Sequence, residues 1–545
     1  MDVPSPDLLL HNARIYTVDD AQPTATALAV RDGWFVEVGA TEELLRRHPS
    51  SRRIDAEGRT VVPGFIDAHA HLHALGHSLR RADLSGAASA AEVVERLVTF
   101  AEERNRPEEA WLRGHGWNET DWTDRQAPSR TMLDTAFPNR PVWLTRADIH
   151  AGWANTAALE ATVGLDRLRT MSDPDGGAIR RDADGQPTGL LIDTAMALVE
   201  NSLPAPTETQ HERALSTALA HAARHGLTGL HDAGVGLDAI RRFRRFIDTD
   251  RFPLRVYAMI DGRGPTFVHF CERGPYHGPQ DRLRIEAVKL FADGALGSRG
   301  AALLDDYADD PGNRGFLLQS PDELRRNVRA AVDCGFQVCT HAIGDRANRL
   351  VLDAYEAVQS ASDDAPLRRP RLEHVQILHP DDRPRLAALG AIASAQPLFT
   401  TSDKGWVADR LGPNRLDRAY AWRSLQGAGA PLVFGSDAPV EPIDPIQGFH
   451  AAVTRQDNDG QPSGGWRPQE RVSRATALHA YTRGAATAAF QEDTVGSITP
   501  GKHADFVVLS HDPMQVPAAD LLDTTVVATY LGGHPTHTTA DWPAG

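Results

Sequence analysis

Cysteine is scarce in this chain, with three in 545 residues, Cys271, Cys334 and Cys339, and no CxxC spacing. So few thiols point away from a disulfide framework, a thiolate metal site or redox chemistry. Long apolar runs are missing too. None approaches the roughly 18–20 residues of a membrane helix. Residues 1–10 have no basic stretch ahead of an apolar one, which speaks against a secretory signal and for a cytoplasmic enzyme. Blocks of Lys and Arg are also absent. With 57 Lys+Arg against 73 Asp+Glu, the formal charge is −16, a sign that repels a nucleic-acid backbone. The expected partner is a small-molecule substrate, with no nucleic acid, no membrane, and a homodimer as the default assembly.

What is present is length, and an ordered alternation of segments. The chain is too long for one ordinary domain but suits a large barrel with a smaller companion. Residues 1–62 carry short strand-like runs separated by turns such as Arg31-Asp32-Gly33, and residues 490–545 carry more of the same. The two ends are therefore expected to build one small β-sandwich. Between them, at 63–489, helix-like segments (212–225, 323–334, 346–360, 384–389, 422–428) alternate with apolar strand-like ones. That order predicts a parallel sheet of the α/β class, closed as a (β/α)8 TIM barrel. The stretch from about 75 to 203 is loop-rich and holds five tryptophans. It reads as an insertion capping the barrel mouth, or else as a long first and second βα unit.

Several predicted strands end in residues that bind metals, on the face where barrel enzymes keep their active sites. His69 and His71 are two apart in a strand, so both imidazoles face one side. Lys289 ends an apolar run, and an unpaired buried ammonium is costly. It either pairs with a carboxylate such as Asp293 or carries a CO2-derived carbamate able to bridge two cations. His341 and His374 finish two successive strands. Asp437 follows the apolar strand-like run 432–436 and could both bind a cation and accept a proton from water.

The order H-x-H, Lys, His, His, Asp on successive strands resembles the amidohydrolase superfamily in its binuclear, carbamate-bridged class. The flanking segments PGFIDAHAH (63–71), LTRADIH (144–150), VKLFADGALGSR (288–299), THAIGD (340–345), LEH (372–374) and GSITPGKHADFVVL (496–509) resemble its YtcJ-like (amidohydrolase 3) branch, which includes N-substituted formamide deformylase. The resemblance implies two divalent metal ions, zinc being the first expectation. His69, His71 and Asp437 would hold one and His341 and His374 the other, with carboxylated Lys289 and a hydroxide between them. The implied reaction is hydrolysis of a non-peptide C–N bond, with Lys289 and Asp437 in catalytic roles. Trp117, His150, Asp293, Arg299 and Asp345 are the candidates for shaping the substrate pocket. Arg299 is either a carboxylate clamp or a packing residue, and Trp117 a pocket wall or core of the insertion. The competing readings are a mononuclear deaminase, a carbamate or ester hydrolase, and a scaffold without activity.

Overall fold

The structure, a computed structural model, describes residues 6–103, 111–119, 122, 128–146, 151–174, 177–361 and 367–543. It divides into two units: Met1–Leu75 with Leu215–Gly545, and Gly76–Ala214.

In the first unit eight parallel strands follow one another in chain order: β1 (Phe65–Ala70), β2 (Leu227–Val235), β3 (Arg255–Asp261), β4 (Leu283–Phe291), β5 (Gln337–Ala342), β6 (Arg371–His374), β7 (Ile392–Ala395) and β8 (Leu432–Phe434). Sequence neighbours pair in register from β1 through to β8. The ring nearly closes, because past the end of β8 the Asp437 N–H donates to the His69 carbonyl at 2.7 Å. With helices on the outside and side chains within, both faces of each strand are dry, so the strands read as continuous rather than alternating apolar runs. All of β4 except Phe291 is buried. The helices between strands start on local signals. Ser320 and Glu323 form a reciprocal capping box ahead of Pro321–Asp333, with Pro321 in its first turn.

Strands from both ends of the chain form two further sheets. Leu8–His11, Ala27–Arg31, Trp34–Gly39 and Arg53–Asp55 make one. Arg14–Tyr16, Thr24–Ala25, Thr60–Pro63, Phe506–Leu509, Val526–Leu531 and His534–Thr538 make the other. Leu10, Leu28 and Ile54 of the first share one buried cluster with Ile15, Val61, Phe506 and Tyr530 of the second. A buried ion pair ties these strands to the barrel: Arg255 at the start of β3 meets Asp505, just before Phe506–Leu509, at 2.6 Å.

The second unit carries a six-stranded mixed sheet whose central strands are Pro187–Asp193, Ala151–Ala154, Val142–Arg146 and Leu112–Trp117. Helix Ala90–Glu103 packs on it through Val93 and Leu97. Its core contains Trp117, Trp122 and Trp153, with ring centroids 5.7–6.2 Å apart.

The structure corrects one expectation. Cys271, at the end of helix Pro265–Cys271, is disulfide-bonded to Cys334, the C-cap of Pro321–Asp333, across 63 residues of sequence. Spacing along the chain hides such a pair, because the meeting of two helices sets it. Cys339 is free and buried. Thiol titration of the unfolded, unreduced chain is expected to count one thiol, rising to three after reduction. Closing a loop of that length stabilises the fold by about 4 kcal/mol on chain-entropy grounds, so the reduced protein should unfold at lower denaturant.

Candidate metal centre

Side chains two apart in a strand share a face, and β1 therefore turns Asp67 and His69 the same way, with His71 following just past its end. His69, His71 and Asp437 bring one ligand atom each within 4.8 Å of one another. Asp437 Oδ1 lies 3.1 Å from His71 Nε2 and 3.6 Å from His69 Nε2. Lys289, near the end of β4, puts Nζ 3.1 Å from His69 Nε2. The His374 ring lies 4.8 Å from that of His69 and 4.6 Å from that of His341, centroid to centroid. The six residues singled out from the sequence, on β1, β4, β5, β6 and beyond β8, thus converge at one end of the barrel.

Backbone strain accompanies the convergence. Neighbours in a strand point to opposite faces, yet Glu373 and His374 both reach His69. His374 manages this at φ +75°, and Asp437 sits at φ +60°. A non-glycine residue held in the left-handed region costs on the order of 1–3 kcal/mol, and such positions cluster at functional sites.

Three of the imidazoles have Nδ1 engaged. His71 Nδ1 donates to the Ala233 carbonyl (2.9 Å), His69 Nδ1 to Glu373 Oε2 (2.5 Å) and His374 Nδ1 to Gln396 Oε1 (3.0 Å). A neutral ring that donates through Nδ1 offers a lone pair at Nε2. Among the described residues, the buried Nε2 of His341 finds no hydrogen-bond partner, and Asp437 Oδ1 faces Nε2 of both His71 and His69. Buried polar atoms are nearly always satisfied, so this donor set fits a divalent cation.

Burial holds His69 and His374 well below the usual histidine range, and the positive charge of Lys289 works the same way. His341 is lowered to about 3, again by burial first. For His71 burial also opposes protonation, but the hydrogen bond and charge of Asp437 outweigh it and the pKa is raised. Burial lowers Lys289 against the attraction of Glu373 and Asp437.

Of the residues proposed for the substrate pocket, Asp293 borders the centre, its Oδ1 3.6 Å from His341 Nε2. Trp117 lies in the core of the second unit. Asp293 is buried and accepts backbone N–H bonds from Ala302, Ile343 and Gly344 at 2.8–3.0 Å, so its carboxylate binds loop backbone and forms no ion pair with Lys289. Asp345 takes the Leu304 N–H at 2.8 Å and pairs with Arg418 at 2.7 Å. Arg299 pairs with Asp309 at 2.8 Å. His150 lies outside the described residues. Motif reading passed over Asp67, which accepts the Ser436 hydroxyl at 2.5 Å and is raised to about 7 by burial. The signal was there, because Asp67, His69 and His71 continue one period of two. It also passed over Arg371 and Glu373, two charges inside a buried strand.

A barrel with imidazoles, a carboxylate and a lysine gathered at its strand ends defines a class of metal-dependent hydrolases, and a model described as the amidohydrolase family matches residues 52–537. The chain belongs to that family. It is 34% identical over 532 residues to the YtcJ protein of Bacillus subtilis, covering 96% of this chain and 98% of that one. It is 32% identical over 551 residues to N-substituted formamide deformylase of Arthrobacter pascens, covering 97% of each. Among solved structures, a metal-dependent hydrolase of Pyrococcus horikoshii superposes with a TM-score of 0.76 at 28% identity, over 94% of this chain and 99% of that one.

The β8–β1 seam that positions Asp437 leaves no room at Gly435, where an added Cβ would lie 2.4 Å from the His69 nitrogen and 2.7 Å from Asp67 Oδ1. Gly435→Ala is expected to destabilise by about 1–3 kcal/mol in urea melts. It should also lose bound metal under conditions where the variant remains folded.

Proposed function

We propose that this protein hydrolyses a carbon–nitrogen bond of a small non-peptide amide, N-substituted formamides being the first substrates to try, at a pair of divalent cations, zinc being the first choice. The observation that carries the reading is the convergence of His69, His71 and Asp437, one ligand atom each within 4.8 Å, beside Lys289 Nζ at 3.1 Å from His69 Nε2, with His69, His71 and His374 each engaged at Nδ1. His69, His71 and Asp437 would hold one cation and His341 and His374 the other. Lys289, buried and lowered in basicity, would join them as its carbamate. The similarity to N-substituted formamide deformylase supports the choice of bond. We also read the two terminal sheets as a small β-sandwich, supported by their common core.

Bound divalent cations would supply water of lowered pKa and polarisation of the substrate carbonyl. The remaining chemistry falls to the chain. As the water oxygen bonds to the carbonyl carbon, Asp437 Oδ takes the proton, and it returns that proton to the nitrogen as the C–N bond breaks. Without it the departing amine would leave as an anion. Asp67 and the Ser436 hydroxyl steady the backbone on both sides of the seam, so that Asp437 stays beside His71.

Elemental analysis of protein purified without chelator is expected to give about two equivalents of metal per chain. One equivalent would leave only the site of His69, His71 and Asp437, and none after reloading would overturn the reading. Asp437→Asn should retain its fold and lower kcat/KM by about 10²–10⁴, the usual worth of general acid–base catalysis. Release of formate and amine from N-substituted formamides is the assay, and activity confined to esters or carbamates would reassign the bond.

A further inference from the structure

Arg371 and Glu373 have no side-chain exposure at all, and they lie inside the barrel on β6. An ion pair in such a place is weak evidence for stability, since apolar side chains of like volume often serve the fold as well or better. The contacts of this pair converge instead on His69. Glu373 Oε1 lies 2.8 Å from Arg371 Nε, while Oε2 accepts the His69 Nδ1–H at 2.5 Å. Arg371 Nη2 donates to the carbonyl of Ala68, the residue before His69, at 2.6 Å, and to Ser394 Oγ on β7 at 3.1 Å. Its Nη1 donates to His231 Nδ1 on β2 at 2.8 Å. One guanidinium therefore grips the backbone beside His69 and the carboxylate behind its ring.

The other two Nδ1-engaged imidazoles are treated differently. His71 donates to a backbone carbonyl and His374 to a glutamine amide, both neutral acceptors. Through Nδ1, His69 alone among the three donates to a carboxylate. A charged acceptor makes a stronger hydrogen bond than a neutral one, and behind a metal-binding imidazole it fixes the tautomer and raises the ring's donor strength.

We propose that Glu373 is a positioning residue for the metal centre. It holds His69 as an Nε2 donor and strengthens it selectively, and Arg371 keeps the Glu373 carboxylate in place. This rests on the metal reading above, with His69 as a ligand. One of the two cations should then depend on Glu373 far more than the other does.

The test is chelator-competition titration of metal from the purified full-length protein, wild type against Glu373→Gln. The variant should release one of its two equivalents with a Kd raised about 10–100-fold, the usual effect of removing such an outer partner, while the second equivalent is little changed. With cobalt(II) in place of the native metal, the visible absorption bands should shift in Glu373→Gln. If the single variant fails to fold because Arg371 is left unpaired, the double variant Arg371→Met/Glu373→Gln removes both charges and should show the same loss of affinity. Asp505→Asn, which breaks a buried pair with Arg255 outside the centre, controls for simple destabilisation. It should lower the melting temperature and leave both metal affinities as in wild type. Wild-type affinity in Glu373→Gln or in the double variant would overturn the proposal and leave the metal reading standing. So would a loss in Asp505→Asn as large as that in Glu373→Gln. A wild-type protein that binds no metal would overturn both.

Discussion

A polar group taken out of water must find a partner, and the interior of this barrel is organised around that demand. Closing eight strands drives their ends together, and the residues there are imidazoles, carboxylates, a lysine and an arginine. Each imidazole has a second nitrogen to satisfy, and for His69, His374 and His71 it is met by a different strand or loop: Glu373 from β6, Gln396 beyond β7, and the Ala233 carbonyl from β2. The result is a set of atoms whose remaining valence faces inward. Burial keeps most of the rings neutral, which is the form that binds cations.

The same demand explains the departures from regular geometry. A strand alternates its side chains, so β6 on its own could present only one of Glu373 and His374 to the interior. The positive φ at His374 brings both there, and the positive φ at Asp437 lets the chain leave β8 while its N–H still bonds to β1. The local strain is held by the surrounding hydrogen bonds, among them the three that Asp67 accepts from Ser436 and from the His69 backbone.

Much of this was legible in the sequence because barrels write themselves as repetition. The alternation of helix-like and apolar segments carried the architecture, and the position of His69, Lys289, His341, His374 and Asp437 at segment ends carried the centre. Less legible was whatever depends on partners distant in sequence. Arg299, Asp293 and Asp345 sit beside the motifs, yet they bind Asp309, loop amides and Arg418, choices that only the folded loops determine. Glu373 was visible as a letter in LEH, but its role needs His69, 304 residues away. The cysteine pair was hidden for the same reason.

The strand Thr60–Pro63 has its partner Phe506–Leu509 at the far end of the chain. During translation the first strands emerge long before the segment that completes their sheet. At about 5–20 residues per second the wait is on the order of tens of seconds. Through that interval the nascent chain holds an open sheet edge and the half-formed cluster of Ile15 and Val61, waiting for Phe506 and Tyr530. The sheet that joins these segments is thus completed only after all eight barrel strands have been made.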